Sequence, residues 1–163
     1  TRRSSDLNVF VWSPNSVSMP GTEANAMKNY YPGDMYVDWL GVSCYPPSLS
    51  ATYPEERRYP LTLMQGIKQV SADKPIMISE GGYSSTCDHQ RWVREWFKLK
   101  DEEPRVKAVV WENHENAENG DRRLQSDPLA LELYKELVQD PYWLDLIPDA
   151  VYSEIETRKN NSK

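Results

Sequence analysis

The sequence predicts an α/β fold of about four parallel βα units, which is half of a (β/α)8 TIM barrel. Short β-type runs alternate with longer helical runs along the 163 residues, as expected where helices connect parallel strands. The main alternative is an open doubly wound sheet, which usually carries a glycine-rich phosphate-binding turn after its first strand. The four residues after Trp12 contain no glycine, so the barrel-type arrangement is favoured.

The predicted strands are short apolar runs that end in turn residues, and a stretch with helical periodicity follows each of them. The strands are residues 7–12, 37–44, 75–79 and 106–111. The helices are residues 23–30, 60–70, 88–99 and 128–138, with short terminal helices at 141–146 and 150–156. In the third helix Trp92, Trp96 and Leu99 recur at helical spacing and should face the sheet. Ser126 or Asp127 should cap the fourth helix.

Residues 1–157 are predicted to form a single half-barrel, and residues 158–163 a disordered tail. A half-barrel has two unpaired parallel edges and half of a core. We therefore expect a missing N-terminal half-barrel, or a second copy of the chain in a homodimer, to close the sheet.

The composition excludes several classes of function. The net charge of −6, with acidic and basic residues interspersed, argues against nucleic acid as a partner. No run approaches the roughly 18 apolar residues of a membrane helix, so no membrane association is predicted. Cys44 and Cys87 match no zinc or redox spacing and form either one disulfide or two free thiols. Neither a metal nor another cofactor is expected.

Aromatic residues are the unusual part of the composition. Six tryptophans and ten tyrosines are present beside two phenylalanines. Tryptophan and tyrosine combine a flat apolar face with a polar group, which suits stacking on sugars, although rings of this size also fill hydrophobic cores. The composition therefore leaves both roles open for each of these rings.

The residues that close the predicted strands are candidates for a functional site, because parallel βα barrels collect their active sites at the C-terminal strand ends. These residues are Trp12, Asn15, Tyr45, Glu80, Trp111, Asn113 and His114. Trp111 could form the floor of a sugar subsite or pack against the barrel mouth. His114 lies in an acidic loop where a metal site is conceivable, but such loops are usually only solvated. Asp34 and Asp38 flank a strand start and are expected to cap rather than to catalyse.

Glu80 is the strongest catalytic candidate. It directly follows a buried apolar strand, and the two glycines after it allow the chain and a substrate to approach closely. Tyr45, on the neighbouring strand, could donate its hydroxyl to Glu80 and so orient a charged nucleophile. A turn or capping role for Glu80, and a rim position for Tyr45, are the structural alternatives.

Four segments together resemble strands five to eight of the retaining (β/α)8 glycosidases, and most closely the mannanase-type glycoside hydrolase family 26. They are residues 8–15 (NVFVWSPN), 30–45 (YYPGDMYVDWLGVSCY), 74–82 (KPIMISEGG) and 106–114 (VKAVVWENH). The resemblance covers nearly the whole chain, which would be the C-terminal half of such a barrel.

By this resemblance, Glu80 is similar to the nucleophile at the end of strand seven and Tyr45 to the tyrosine that hydrogen-bonds to it. Trp111 is similar to the strand-eight aromatic under the sugar. Trp12, Asn15 and Trp39 match further recurrent positions, and with Asn113 they are candidates for substrate binding. Glu112 departs from the pattern, because the family usually has an aromatic residue after this tryptophan.

The resemblance implies an endo-acting retaining β-glycanase of the β-mannanase type, which works through a covalent glycosyl-enzyme intermediate on extracellular β-linked polysaccharide. The acid/base glutamate of the family belongs to strand four, which this sequence does not contain. Retaining hydrolysis needs two carboxyl groups about 5 Å apart, so the chain alone is predicted to be inactive. Glu112 and Glu115 are poor substitutes, because strand eight should place them beside the nucleophile. The alternative is a non-catalytic carbohydrate-binding or interaction module.

Overall fold

The computed structural model describes residues 8–46, 60–85, 87–116 and 120–143. Within these residues four parallel strands form one sheet, and their order in the sheet is their order in the chain. The strands are β1 (Val11–Trp12), β2 (Trp39–Cys44), β3 (Ile76–Gly81) and β4 (Val106–Val109). A sequential parallel sheet with helical connections confirms the predicted half of a (β/α)8 barrel.

The helices follow the strands as the predicted βα pattern requires. They are α1 (Pro60–Leu63), α2 (Gln65–Lys68), α3 (His89–Glu102) and α4 (Pro128–Leu137). Between β4 and α4 lie an antiparallel hairpin of β5 (Glu115–Asn116) and β6 (Gly120–Asp121) and the 3-10 helix Leu124–Ser126. Asp127 is the N-cap of α4, because its carboxylate accepts hydrogen bonds from the backbone of Leu129 and Ala130.

The α-helix predicted for residues 23–30 is wrong, because this segment forms two 3-10 helices, Glu23–Asn25 and Met27–Tyr30. The side chain of Asn29 donates to the carbonyl oxygens of Glu23 and Ala24. Such local bonds compete with a regular helical ladder. Eight residues are also too few for a stable α-helix without extensive packing.

The helix predicted for residues 60–70 is divided into α1 and α2, with Met64 between them. Gly66 lies inside this segment and costs about 1 kcal/mol of helix propensity relative to alanine. A Cβ atom at Gly66 would lie 3.1 Å from the terminal methyl of Met27. Close packing of Met27 therefore favours glycine here, at the expense of a continuous helix.

The two strands at the edges of the described sheet are shorter than predicted, whereas β3 is longer. Residues 8–10 are exposed and precede β1, and Trp111 lies beyond the end of β4. Within the described residues each edge strand is paired on one side only. Fewer hydrogen bonds therefore hold its ends in the sheet than hold the ends of a central strand. The central β3 is paired on both sides and continues past Ser79 through Glu80 to Gly81.

The hydrophobic core lies between the sheet and the helices. Fully buried side chains alternate along the two central strands, namely Leu40, Val42, Cys44, Ile76 and Ile78. On α3, Trp92, Trp96 and Leu99 are buried in the same core, so the predicted inward side of this helix is confirmed. On the other face of the sheet, which would line a closed barrel, Val11 and Val110 are exposed.

The remaining predictions about chain organisation have mixed outcomes. Cys44 and Cys87 are both free thiols, and burial raises the pKa of each. No helix in the described part of the chain is long and apolar enough to cross a bilayer. Residues 141–143 form a turn. The rest of the helix predicted at 141–146, the helix at 150–156 and the tail at 158–163 lie outside the described residues.

Candidate active site

The candidate site is centred on Tyr45 and Glu80, which meet at the C-terminal ends of β2 and β3. Tyr45 directly follows β2, and Glu80 is the penultimate residue of β3. The Tyr45 hydroxyl lies 2.5 Å from Glu80 Oε1 and donates to it. Glu80 is exposed, so a ligand at this rim could reach its carboxylate. The structure thus brings together the two residues that the sequence predicts for catalysis.

The direction of the Glu80 side chain depends on an irregularity between β2 and β3. Strand alternation would place residue 80 on the same face as Ile76 and Ile78, which are fully buried in the core. The register shifts after the Val42–Ile78 pair, so Ser43 is paired with Glu80 and not with the residue before it. This additional residue forms a β-bulge, which turns Glu80 towards the open inner face.

Gly81 allows the end of β3 to lie tightly against the core. A Cβ atom at this position would be 2.5 Å from the carbonyl oxygen of Cys44 and 2.8 Å from Cζ3 of Trp96. Gly82, by contrast, has room, since the nearest atom to its Cβ would be the Glu112 carbonyl oxygen at 3.5 Å. Of the two glycines after Glu80, the first is therefore required by packing.

A second carboxylate shares the Tyr45 hydroxyl. Glu112 Oε2 lies 2.6 Å from the Tyr45 oxygen, and the Arg122 guanidinium donates to the same Oε2 atom through Nη1. The Arg122 guanidinium carbon also lies 4.1 Å from the centre of the Tyr45 ring. Partial burial, followed by the hydrogen bonds of Glu112 and Glu80, raises the pKa of Tyr45 well above its usual range. Tyr45 is therefore a neutral hydrogen-bond donor at physiological pH.

Arg122 was not among the residues that the sequence singled out. It is nearly buried and follows β6, so the hairpin carries it back to the strand ends. Its carbonyl oxygen accepts from Trp111 Nε1 at 3.0 Å, and its backbone nitrogen donates to the His114 carbonyl. The Asn119-Gly120 dipeptide is a turn signal, although polar residues flank it. It could have predicted the hairpin, although not the contact of Arg122 with Tyr45.

Trp111 lies on the helix side of the sheet. Its ring makes edge contacts with three other aromatic rings, which belong to Tyr83, Trp96 and Tyr134. Its half-buried position corresponds to the packing alternative considered for this residue. Direct stacking of Trp111 on a sugar stays a prediction.

The other predicted substrate-binding residues lie at different places. Trp12 ends β1 and contacts Tyr31 edge to face, with ring centres 5.1 Å apart. Asn15 is exposed and forms a parallel bridge with Ser43, next to the site. Trp39 is the first residue of β2, about 16 Å along the strand from its last residue at 3.3 Å per residue. The structure does not bring Trp39 to the rim that carries Glu80.

Asn113 uses its side-chain amide to hold the loop after β4. Its Oδ1 accepts from the Leu124 backbone, and its Nδ2 donates to Gln125. Both ends of the amide are thus engaged in the described structure. Binding of substrate by Asn113 stays a prediction.

The acidic residues away from the rim have structural partners. Asp34 accepts from the Tyr31 hydroxyl at 2.6 Å, and the Asp38 carboxylate accepts from the Phe10 backbone at 3.0 Å.

His114 Nδ1 lies 3.3 Å from Glu112 Oε1. In the described ranges no group of three or more histidine, cysteine, aspartate or glutamate side chains is arranged to hold a metal ion.

Four parallel strands in sequential order, with helices between them, have the architecture of part of a (β/α)8 barrel. The catalytic domain of a GH26 endo-β-1,4-mannanase from Bacillus sp. JAMB-750 has a TM-score of 0.50 at 21% identity, covering 82% of this chain and 38% of that domain. An endo-β-1,4-mannanase double mutant from Cellulomonas fimi gives a TM-score of 0.51 at 19% identity, covering 83% of this chain and 31% of its own. The chain therefore has the fold of part of a family 26-like glycoside hydrolase barrel, as the resemblance predicted.

Sequence comparison gives a more limited likeness. The chain is 29% identical over 113 residues to Endoglucanase H of Acetivibrio thermocellus, which is 67% of this chain and 12% of that protein. No family model matches the chain. The chain spans less than half the length of each of these three proteins.

Proposed function

We propose that this chain is the nucleophile-bearing part of an endo-acting retaining β-glycanase, with β-mannan as the first candidate substrate. β-1,3-Xylan and mixed-linkage β-glucan are further candidates. The observation that carries the proposal is the 2.5 Å hydrogen bond from Tyr45 to Glu80 at the C-terminal rim of the parallel sheet. Because substrates of this kind are polymers outside cells, we also propose that the protein acts extracellularly.

In the proposed reaction, an oxygen of the Glu80 carboxylate forms a bond with the anomeric carbon of the sugar. The bond from that carbon to the leaving oxygen breaks, and its electron pair stays with the leaving oxygen. The Tyr45 hydroxyl orients Glu80 through its hydrogen bond. Water later cleaves the resulting glycosyl ester and regenerates the carboxylate.

This cycle needs a second carboxyl group that protonates the leaving oxygen and later activates water. Glu112 is not suited to that task, because its Oε2 atom is engaged by both Tyr45 and Arg122. We therefore propose that the second carboxyl comes from a complementary half-barrel, or from a second copy of the chain, that closes the open sheet. The chain alone should not complete the cycle on natural polysaccharide.

An activated substrate separates the role of the nucleophile from that of the acid/base. A 2,4-dinitrophenyl β-mannobioside has a leaving group that departs without a proton, so it needs the nucleophile and not the acid. We expect a burst of at most one dinitrophenolate per chain. In the same step the chain should gain the mass of one mannobiosyl group as a covalent adduct. The adduct should accumulate, because the base that activates water is missing.

The Glu80→Gln variant should form no adduct, whereas the Glu115→Gln variant should behave as the parent does. Glu115 is a matched control, since it is an exposed glutamate at the start of β5 and its replacement also neutralises one negative charge. An adduct that persists in Glu80→Gln would assign the nucleophile to another residue. Binding of mannan oligosaccharides without any adduct or turnover, in the chain and in a longer polypeptide that contains it, would support the carbohydrate-binding alternative.

A further inference from the structure

Glu112 and Arg122 surround the side chain of Tyr45 from two directions. Glu112 reaches the hydroxyl at 2.6 Å, while Arg122 covers the ring face at 4.1 Å. The two residues are joined directly by an ion pair between Nη1 and Oε2. The phenol is therefore held at its polar end and on its flat face by one connected pair.

This pair is itself well supported. The side chains of Arg122 and Glu112 are 8% and 17% exposed. The backbone N–H of Arg122 donates to the His114 carbonyl, and its own carbonyl oxygen accepts from Trp111 Nε1. Its planar, buried guanidinium, which is paired with Glu112 through Nη1, covers the Tyr45 ring and favours one orientation of that ring.

The hydrogen count at Tyr45 adds a second constraint. A phenol has one hydrogen, yet its oxygen lies 2.5 Å from Glu80 and 2.6 Å from Glu112. The hydroxyl can donate fully to one carboxylate at a time. Whatever holds Glu112 in place therefore influences how strongly Tyr45 donates to Glu80.

We propose that Glu112 and Arg122 are positioning residues that hold Tyr45 against Glu80 and divide its single hydrogen bond between two carboxylates. This inference rests on the proposed function for its consequence in catalysis, although the geometry of Tyr45 can be tested without any turnover. Glu112 and Arg122 act through Tyr45 and touch no reacting atom. On this proposal, the carboxylate that follows Trp111 in this sequence, where the family usually has an aromatic ring, serves to position Tyr45.

The direct test observes Tyr45 itself. The chain is labelled with 3-fluorotyrosine at its ten tyrosines, and the Tyr45→Phe variant assigns the Tyr45 resonance in the fluorine NMR spectrum. We expect Glu112→Gln to shift this resonance, because the carboxylate that competes for the hydroxyl hydrogen is replaced by an amide. Arg122→Lys keeps the charge but loses the flat stacking surface, so it should shift or broaden the same resonance.

Matched controls come from the hairpin of β5 and β6 and the residues directly after it. Glu115 and Arg123 form an exposed ion pair at 3.2 Å and have the same charges as the proposed pair. The Glu115→Gln and Arg123→Lys variants should leave the Tyr45 resonance unchanged. Circular dichroism on each variant verifies folding, and the near-isosteric Glu112→Gln keeps the test decisive if an Arg122 variant unfolds. A Tyr45 resonance that is unchanged in Glu112→Gln overturns the inference.

A kinetic measurement distinguishes positioning from acid/base catalysis by Glu112. In a polypeptide that contains this chain in a closed barrel, Glu112→Gln also removes the ion pair with Arg122 that holds the Tyr45 ring. The variant should therefore lower kcat about tenfold on both activated and natural substrates, with KM changed less than about twofold. If the variant no longer cleaves the natural substrate, accumulates the adduct on the activated substrate, and regains turnover of the activated substrate with azide as glycosyl azide, Glu112 is the acid/base and the inference is wrong. Failure of Glu80 to form an adduct would instead contradict the proposed function, and the NMR result is independent of it.

Discussion

The hydroxyl oxygens of Ser13 and Ser79 lie 2.5 Å apart, although β2 runs between the two segments that carry them. The contact passes over Gly41 of β2. A Cβ atom at Gly41 would lie 2.7 Å from Ser13 Cβ and 2.9 Å from a methyl group of Val11. The missing side chain therefore allows neighbouring strands to curve towards each other on the inner face.

The Gly41→Ala substitution should destabilise the fold by about 1–3 kcal/mol, because the added methyl group overpacks this face. The free energy of unfolding from urea denaturation measures the effect. Gly21→Ala is the control: its Cβ would have the Ser18 carbonyl oxygen as nearest neighbour, at 3.9 Å. Equal stability of the two variants would show that curvature at β2 does not depend on Gly41.

Gly81 connects stability with the candidate site. Because its Cβ would overlap the Cys44 carbonyl and the Trp96 ring, Gly81→Ala should cost at least about 3 kcal/mol or displace the end of β3. A displaced strand end would also move Glu80 from Tyr45. The midpoint of thermal unfolding should therefore fall, and adduct formation on the dinitrophenyl substrate should be impaired.

Gly82→Ala provides the comparison, since its Cβ would make only ordinary contacts. It should keep nearly the stability of the parent and form the adduct. Parent-like behaviour of Gly81→Ala in both assays would contradict the packing described beneath Glu80.

The sheet order and the meeting of Tyr45 with Glu80 could be predicted from the sequence. Apolar runs separated by helical periods define parallel units, and the C-terminal ends of neighbouring parallel strands lie together. The N-cap of α4 could be narrowed to Ser126 or Asp127 for a similar reason, since an N-cap bond is local, and the structure has Asp127 there. Each of these features depends on residues that are close in sequence or on the general geometry of βα units.

The bulge at Glu80 and the contact of Arg122 with Tyr45 could not be predicted in this way. Periodicity along β3 would send Glu80 into the core, and the shift appears only in its pairing with Ser43. Arg122 is far along the chain from Tyr45, and a polar hairpin has no apolar period that shows where it folds. Long-range register and loop return are decided by tertiary packing, which local patterns do not contain.

Glu103, immediately after α3, gives a prediction about acid stability. Its side chain is 9% exposed and accepts from Arg105 Nε at 2.9 Å, with Lys68 Nζ 3.3 Å away. The hydrogen bond from Arg105, which outweighs the opposing effect of burial, lowers the pKa of Glu103 from 4.5 to about 2. A carboxyl group with a depressed folded-state pKa stabilises the fold above its unfolded-state value, and this contribution is lost as the pH falls through the folded-state value.

Stability should therefore fall between about pH 4.5 and pH 2 by on the order of 3 kcal/mol for this group. In Glu103→Gln the neutral amide cannot titrate, so the variant should be less stable than the parent at pH 7 and the difference should shrink towards pH 2. Urea denaturation at several pH values measures both curves. Glu102→Gln, at the exposed neighbouring position, should run parallel to the parent. A constant difference between Glu103→Gln and the parent across this range would show that the Arg105 contact does not hold Glu103 ionised.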